Sequence, residues 1–204
     1  MKAQINILLF SVLLLYSSLV TSNDNDLTKS ITLDYENRLK AIFEDFHAHP
    51  ELSLAEFETA KKISTALKNH GFTVTENVGG TGVVALLKNG KGPLVMMRAD
   101  MDGLPLEEKT DLPYASKDKQ LDPVTGNVFP VMHACGHDVH ITALIGTAKQ
   151  MVDLKSEWSG TLMLIAQPAE ERVLGARNMM NDNLWERFGK PDYALAFHVS
   201  SMLP

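Results

Sequence analysis

Three short apolar runs, residues 94–97, 161–166 and 193–198, alternate with helix-patterned stretches, and that alternation limits the fold more than any other feature of the chain. The middle run, Thr161-Leu162-Met163-Leu164-Ile165-Ala166, has no polar alternation, as expected of a strand covered on both faces. Between the first two runs, Asp138 opens a segment in which Val139, Thr142, Ala143, Ile145, Gly146 and Ala148 lead on to Met151, Val152 and Leu154. That segment predicts a largely buried crossover helix, and residues 173–184 predict a second. Strand, helix, strand, helix, strand implies an α/β fold whose sheet is mixed, largely parallel and flanked by helices. Parallel strands put their carboxyl ends on one edge, which is where open α/β sheets bind ligands.

Each run is followed by residues able to hold a cation or move a proton. Asp100 and Asp102 follow the first, Glu170 and Glu171 the second, and His198 closes the third. Two aspartates two apart on an extended chain point the same way, so they could share a cation or hold a ligand histidine. Read alone, they are an acidic turn before Pro105. Residues 132–140, MHACGHDVH, place the only cysteine and several histidines just before the crossover helix. A thiolate and an imidazole two residues apart, with Gly136 between them, can converge on a borderline-soft divalent ion. An isolated Cys-x-His is equally a buried thiol beside a helix-capping histidine. His140 reads as a satisfied core histidine or a support for a ligand, not as a ligand. Carboxylates and an imidazole at three successive strand ends, with Cys135 and His137 alongside, tip the balance to a metal site. Adjacent glutamates then allow one to be held by metal while the other moves a proton.

The remaining sequence sets the context. Residues 1–22 carry the marks of an export signal: Lys2, an apolar run over residues 7–20, and the small residues Val20-Thr21-Ser22. The run is shorter than the ~20 residues that span a bilayer, so no stable membrane insertion is expected after processing. Residues 23–204 suffice for one domain with its own core, destined for a secreted or periplasmic location. The net charge of −6 argues against nucleic acid and anionic membranes as partners. With one cysteine there is no internal disulfide, and a lone thiol in an oxidising compartment suits a metal ligand or a buried side chain. Residues 27–46 predict an amphipathic helix through Leu33, Leu39, Ile42, Phe43 and Phe46, stopped before Pro50. His47 and His49 read as polar helix-end residues, since no carboxylate cluster adjoins them in sequence. Ser53 and Glu56 have the spacing of a capping box ahead of a helix that carries Phe57, Ala60, Ile63 and Leu67 on one face. Residues 72–75 and 82–88 predict strands, 109–129 an irregular surface loop, and 193–198 a buried strand.

Four ordered motifs, MRADMDGLP (97–105), MHACGHD (132–138), QPAEE (167–171) and AFHV (196–199), resemble those of a family of metal-dependent amidohydrolases. That family includes hippurate hydrolase, N-acyl-amino-acid aminoacylases and the plant auxin-conjugate hydrolases. HPELS (49–53) with Glu56 is similar to its N-terminal region, and the likeness runs over almost all of residues 35–204. The resemblance implies a zinc-exopeptidase-like catalytic domain that binds two divalent ions, zinc, manganese, cobalt or nickel. It implies metal ligands at Cys135, His137, Glu171 and His198, a general base at Glu170, and at Asp102 an aspartate that supports the metal centre. Asp100 stands where some relatives carry a ligand histidine, for which Cys135 supplies the compensating ligand. The implied reaction is hydrolysis of the amide of an N-acyl amino acid or short peptide by a metal-activated water. Such relatives continue past the position of Pro204 into a lid and dimerisation domain and back into the catalytic domain. They thereby gain a further metal-binding histidine and one that polarises the substrate carbonyl. The expectation is therefore an N-terminal portion of the catalytic domain, homodimeric only where the lid is present. The contrasting expectation is a metal-binding fragment without catalysis. A thiol-dependent redox protein is disfavoured by the lack of a partner cysteine.

Overall fold

The structure, a computed structural model, describes residues 26–200. The export signal expected at residues 1–22 lies outside the described residues. The chain divides into two units after Leu39. In the first, residues 26–34 (α1) are helical and Tyr35–Leu39 form a π-helical turn. There Arg38 pairs with Asp34 one turn back at 2.7 Å. Residues 27–46 are helical as expected, with the π turn at Tyr35–Leu39 as the one departure from α geometry, and the second unit opens with α2 (Lys40–Ala48).

In the second unit, α3 (Phe57–Asn69) buries Ala60, Ile63 and Leu67 and leaves Phe57 exposed. The capping-box reading of Ser53 and Glu56 is incorrect. The free amides of Glu58 and Thr59 donate instead to the Glu51 carboxylate at 3.2 and 2.7 Å, and this anion at the helix N-terminus serves the role expected of Ser53. Ser53 and Glu56 turn away from the helix end, into the interior.

The sheet has the order β1-β2-β6-β3-β7, formed by β1 (Thr73–Val78), β2 (Gly82–Asn89), β3 (Leu94–Asp100), β6 (Gly160–Gln167) and β7 (Tyr193–Ala196). β3 pairs in parallel with both β6 and β7, while β2 pairs antiparallel with β1 and β6. The sheet is therefore mixed, with β2 alone running against the other four. α4 (His137–Asp153) leads from β3 to β6 and lies against both, whereas α5 (Gly175–Asn181) and α6 (Leu184–Phe188) lead from β6 to β7. Val84, Met163 and Ile165 pack with Met179 and Leu184 on the α5–α6 face. By strand alternation, Val83, Leu162 and Leu164 point to the opposite face, where α3 and α4 lie. Chain order thus reverses about β3: one crossover leaves to one side and the next returns to the other, so a crevice opens at its carboxyl end.

Three further expectations are corrected. Residues 109–129 are not wholly irregular, because β4 (Lys119–Leu121) pairs antiparallel with β5 (Val128–Pro130). The helix expected over 173–184 is two short ones, separated by Asn183 in the left-handed region at φ 58°. β7 is an edge strand whose Tyr193 and Leu195 are exposed, as is Phe197 just beyond it, and not a buried strand. An apolar run records which side chains avoid water but not how many neighbouring strands the backbone finds.

Candidate metal centre

α4 begins at His137, and the preceding Gly136 adopts φ 81°, which turns the chain so that Cys135 and His137 face the same crevice. A Cβ on Gly136 would lie 2.3 Å from Cγ2 of Val199, so the turn also needs the missing side chain for space. His137 is fully buried. Its Nδ1 donates to the backbone carbonyl of Asp102 at 2.8 Å, with the Asp102 carboxylate 3.3 Å away. That bond fixes the tautomer and leaves the lone pair on Nε2 free. Nε2 has no hydrogen-bond partner, yet it faces Asp100 Oδ2 at 3.6 Å, Glu170 Oε2 at 3.7 Å and Glu171 Oε1 at 3.8 Å.

The segment carrying Glu170 and Glu171 leaves β6 through Pro168. It is gathered by carboxylates from elsewhere in the chain. Asp102 Oδ2 accepts from the Glu171 amide at 3.0 Å and from Ser53 Oγ at 2.6 Å. Glu56, fully buried, accepts from the Ala169 amide at 2.7 Å and from Thr81 Oγ1 at 2.6 Å. Sequence reasoning missed these supporting roles of Ser53 and Glu56. The only sign of them was that both stand in the stretch resembling the family's N-terminal region.

On the third side, His198 donates Nδ1–H to the carbonyl of Val199 at 2.6 Å, and its Nε2 lies 3.4 Å from Cys135 Sγ. His140 bonds through Nδ1 to Asp100 and accepts the Val199 amide on Nε2 at 3.0 Å. Asp100, His137, His140 and His198 lie close enough to share an ion, as do Cys135, His137 and Glu171. Hydrogen bonding separates the members of the first group. Both nitrogens of His140 are engaged, and Asp100 bonds His140 through Oδ1 while its Oδ2 is ion-paired with Arg98 Nη1 at 2.7 Å but accepts no hydrogen bond. His140 is the satisfied support that the sequence suggested, and Asp100 serves it.

Donors on one zinc-like ion stand about 2.0–2.3 Å from it, hence roughly 3–4 Å from one another. Cys135, His137 and Glu171 offer a sulfur, a nitrogen and an oxygen all within 4.8 Å of one another. The buried Oε1 of Glu171, like Nε2 of His137, has no hydrogen-bond partner. Two unpartnered buried donors facing each other across a gap are costly unless something between them accepts their lone pairs, so this donor set fits a divalent cation.

The charges agree. Burial, then the carboxylates of Glu171, Glu170 and Asp100, push the Cys135 thiol up to about 11. Burial alone would lower the basicity of His137, but Asp102, Asp100 and Glu171 outweigh it and raise the pKa. Burial also raises the pKa of Glu171, against the pull of His137. Asp100 shows the opposite balance: its burial is outweighed by His140, His137 and Arg98, which bring it down to about 2. The crevice is an anionic field that holds back further negative charge until a cation enters. A thiol so suppressed is a poor free nucleophile, which counts against a thiol-redox role for Cys135.

An open α/β sheet that presents thiol, imidazole and carboxylate donors at its carboxyl edge defines the class as a metallohydrolase-type catalytic domain. The chain belongs to peptidase family M20/M25/M40, which it matches over residues 96–203, more than half its length. It is 42% identical over 167 residues to hippurate hydrolase of Campylobacter jejuni, covering 81% of this chain and 40% of that one. It is 35% identical over 198 residues to IAA-amino acid hydrolase ILR1-like 5 of Arabidopsis thaliana, covering 93% and 42%. Among solved structures it resembles the Bacillus subtilis YXEP protein, described as a dinuclear metal binding peptidase from the M20 family. The TM-score is 0.72 at 37% identity, covering 83% of this chain and 44% of that one. The chain thus spans about two fifths of the length of the curated relatives it matches.

Proposed function

We propose that this chain carries the metal-binding and proton-transfer part of an amidohydrolase acting on N-acyl amino acids or short peptides, as an exported protein. The observation that carries the reading is the lone pair of His137 Nε2, buried and unpartnered among Asp100, Glu170 and Glu171. Cys135, His137, Glu171 and His198 would hold two divalent ions. When bound, such ions lower the pKa of an attacking water and stabilise the developing oxyanion. Asp102 and Ser53 keep His137 in the Nδ1–H tautomer and hold the Glu171 amide in place. Glu170, whose side chain is 35% exposed at the crevice, takes the proton of the attacking water on its carboxylate. It then returns that proton to the departing amide nitrogen as the C–N bond breaks. The N-acyl amino acid class is supported by the relatives' names, hippurate hydrolase and IAA-amino acid hydrolase. Homodimerisation belongs to this reading only where a lid domain accompanies the chain.

The test is to supply zinc, manganese or cobalt and assay N-benzoyl and N-acetyl amino acids, comparing wild type with Glu170→Gln. The expected outcome is that Glu170→Gln retains metal and loses turnover by roughly 10²–10⁴-fold. Unchanged turnover would reject Glu170 as the base. A non-catalytic metal-binding module is the alternative. Metal uptake with no hydrolysis by wild type would select it.

A further inference from the structure

We propose that Glu56 is a positioning residue: by holding the Ala169 amide it sets where Glu170 and Glu171 stand in the crevice. This rests on the metal-centre reading above. The turn after β6 is an unfavourable one for its sequence. Ala169 has φ 45° and Val173 φ 55°, in the left-handed region where L side chains are disfavoured. The carbonyl of Ala169 accepts from the amides of Leu174 and Gly175 at 3.1 and 3.2 Å, closing a tight loop around the two glutamates. A Cβ on Gly175 would fall 1.5 Å from the Pro168 carbonyl oxygen, so the closure leaves no room for a side chain there.

A strained turn persists only if its surroundings over-determine it, and here two carboxylates hold its backbone amides from outside the loop while Asp122 holds the Arg172 side chain at 2.8 Å. Asp102 holds its far end through the Glu171 amide, and Glu56 holds its near end through the Ala169 amide. Glu56 is itself fixed, because its other oxygen takes the Thr81 hydroxyl and its side chain is fully buried. Among the described residues, its side chain bonds Thr81 and the Ala169 amide and not a proposed ligand. Without it the near end of the turn has no tertiary restraint among the contacts of its amide, and the glutamates lose their common aim.

Reach, not charge, is the property this role requires, and that separates two conservative variants. Glu56→Gln keeps the length: its amide oxygen accepts from Ala169, and the Thr81 hydroxyl can rotate to accept the new N–H. Glu56→Asp keeps the charge but withdraws it by about 1.5 Å. The experiment is a cobalt(II) titration of the full chain, following the thiolate-to-cobalt absorption of Cys135 and the binding constant. Melting temperature is recorded in parallel. We expect Glu56→Gln to resemble wild type and Glu56→Asp to bind roughly 10- to 100-fold more weakly with a changed spectrum. A Glu56→Asp protein that is folded and binds cobalt as wild type does would overturn the proposal. So would the reverse order, Gln weak and Asp tight, which would make the role electrostatic. If wild type itself takes up no cobalt, the metal-centre reading falls and takes this proposal with it.

Discussion

His137 and His198 are held alike at Nδ1 and differently everywhere else. Each donates Nδ1–H to a backbone carbonyl, which leaves Nε2 for an ion. For His137 that carbonyl belongs to Asp102, 35 residues away on the loop after β3, and the ring is fully buried. For His198 it belongs to the next residue, Val199, on the exposed segment that follows the edge strand β7. Nδ1 of His137 is held by a distant residue, whereas Nδ1 of His198 is held by its own neighbour. The tertiary contacts on that side include the Val199 amide on His140 and Cys135 Sγ beside Nε2. A donor oriented by the fold stands ready before the ion arrives, whereas one oriented locally is only as fixed as the strand that carries it.

The comparison is broken most severely by removing the donors themselves. His137→Ala or Glu171→Ala should abolish metal binding, a loss greater than the roughly 10- to 100-fold typical of supporting residues. His198→Ala should leave one ion bound, as measured by metal content after dialysis. Equal losses from both sides would show that the exposed imidazole is as firmly placed as the buried one.

A smaller effect should follow from Gly136→Ala, which forces a side chain into φ 81° and against Val199. We expect a loss of about 1–3 kcal/mol in urea unfolding, on the scale of other left-handed strain. Metal stoichiometry should fall on the His198 side first, since Val199 is the residue that must move. On the buried side, Ser53→Ala removes one of the bonds to Asp102 and leaves that from the Glu171 amide. Its cost should be about 1 kcal/mol in stability, with both ions retained.

The same contrast explains what the sequence made legible. The strands and α4 announce themselves because burial leaves an apolar record, as in residues 161–166 and in Ile145 and Ala148, although Val139 and Ala143 prove exposed and the fully buried Ile141 and Leu144 lie outside the residues that predict the helix. The residues at the strand ends could be gathered on paper because parallel strands share a carboxyl edge. Support across that edge left no such record. Ser53 and Glu56 have the spacing of a capping box, and only the fold shows that their oxygens go to Asp102, Thr81 and Ala169 while Glu51 caps the helix. The exposure of β7 was equally invisible, since a strand with one neighbour and a strand with two have the same apolar content.

His47 offers the finest division of the buried side, because in sequence it reads as a polar helix-end residue and the fold sets it between two carboxylates. Its Nδ1 lies 2.6 Å from Asp138 and its Nε2 3.0 Å from Glu108, so a carboxylate faces each nitrogen and the arrangement favours the imidazolium. Burial opposes that charge, but the hydrogen bonds and charges of Glu108 and Asp138 prevail and raise the pKa above 6.5. A raised folded pKa gives stability that is fully present below the unfolded value of 6.5 and is lost as pH rises through the folded one. Glu108 is shifted the other way: burial opposes ionisation, but bonds from Thr110, His47 and the Ser116 amide keep its pKa lowered. Its contribution is present above the unfolded value of 4.5 and fades as pH falls through the folded one. The clasp is therefore strongest between those limits. The gap in urea stability between wild type and His47→Gln should be widest near pH 6 and should narrow as pH is raised. A gap that stays constant or widens toward high pH would mean that His47 is neutral in the folded protein, with one of its carboxylates carrying the proton.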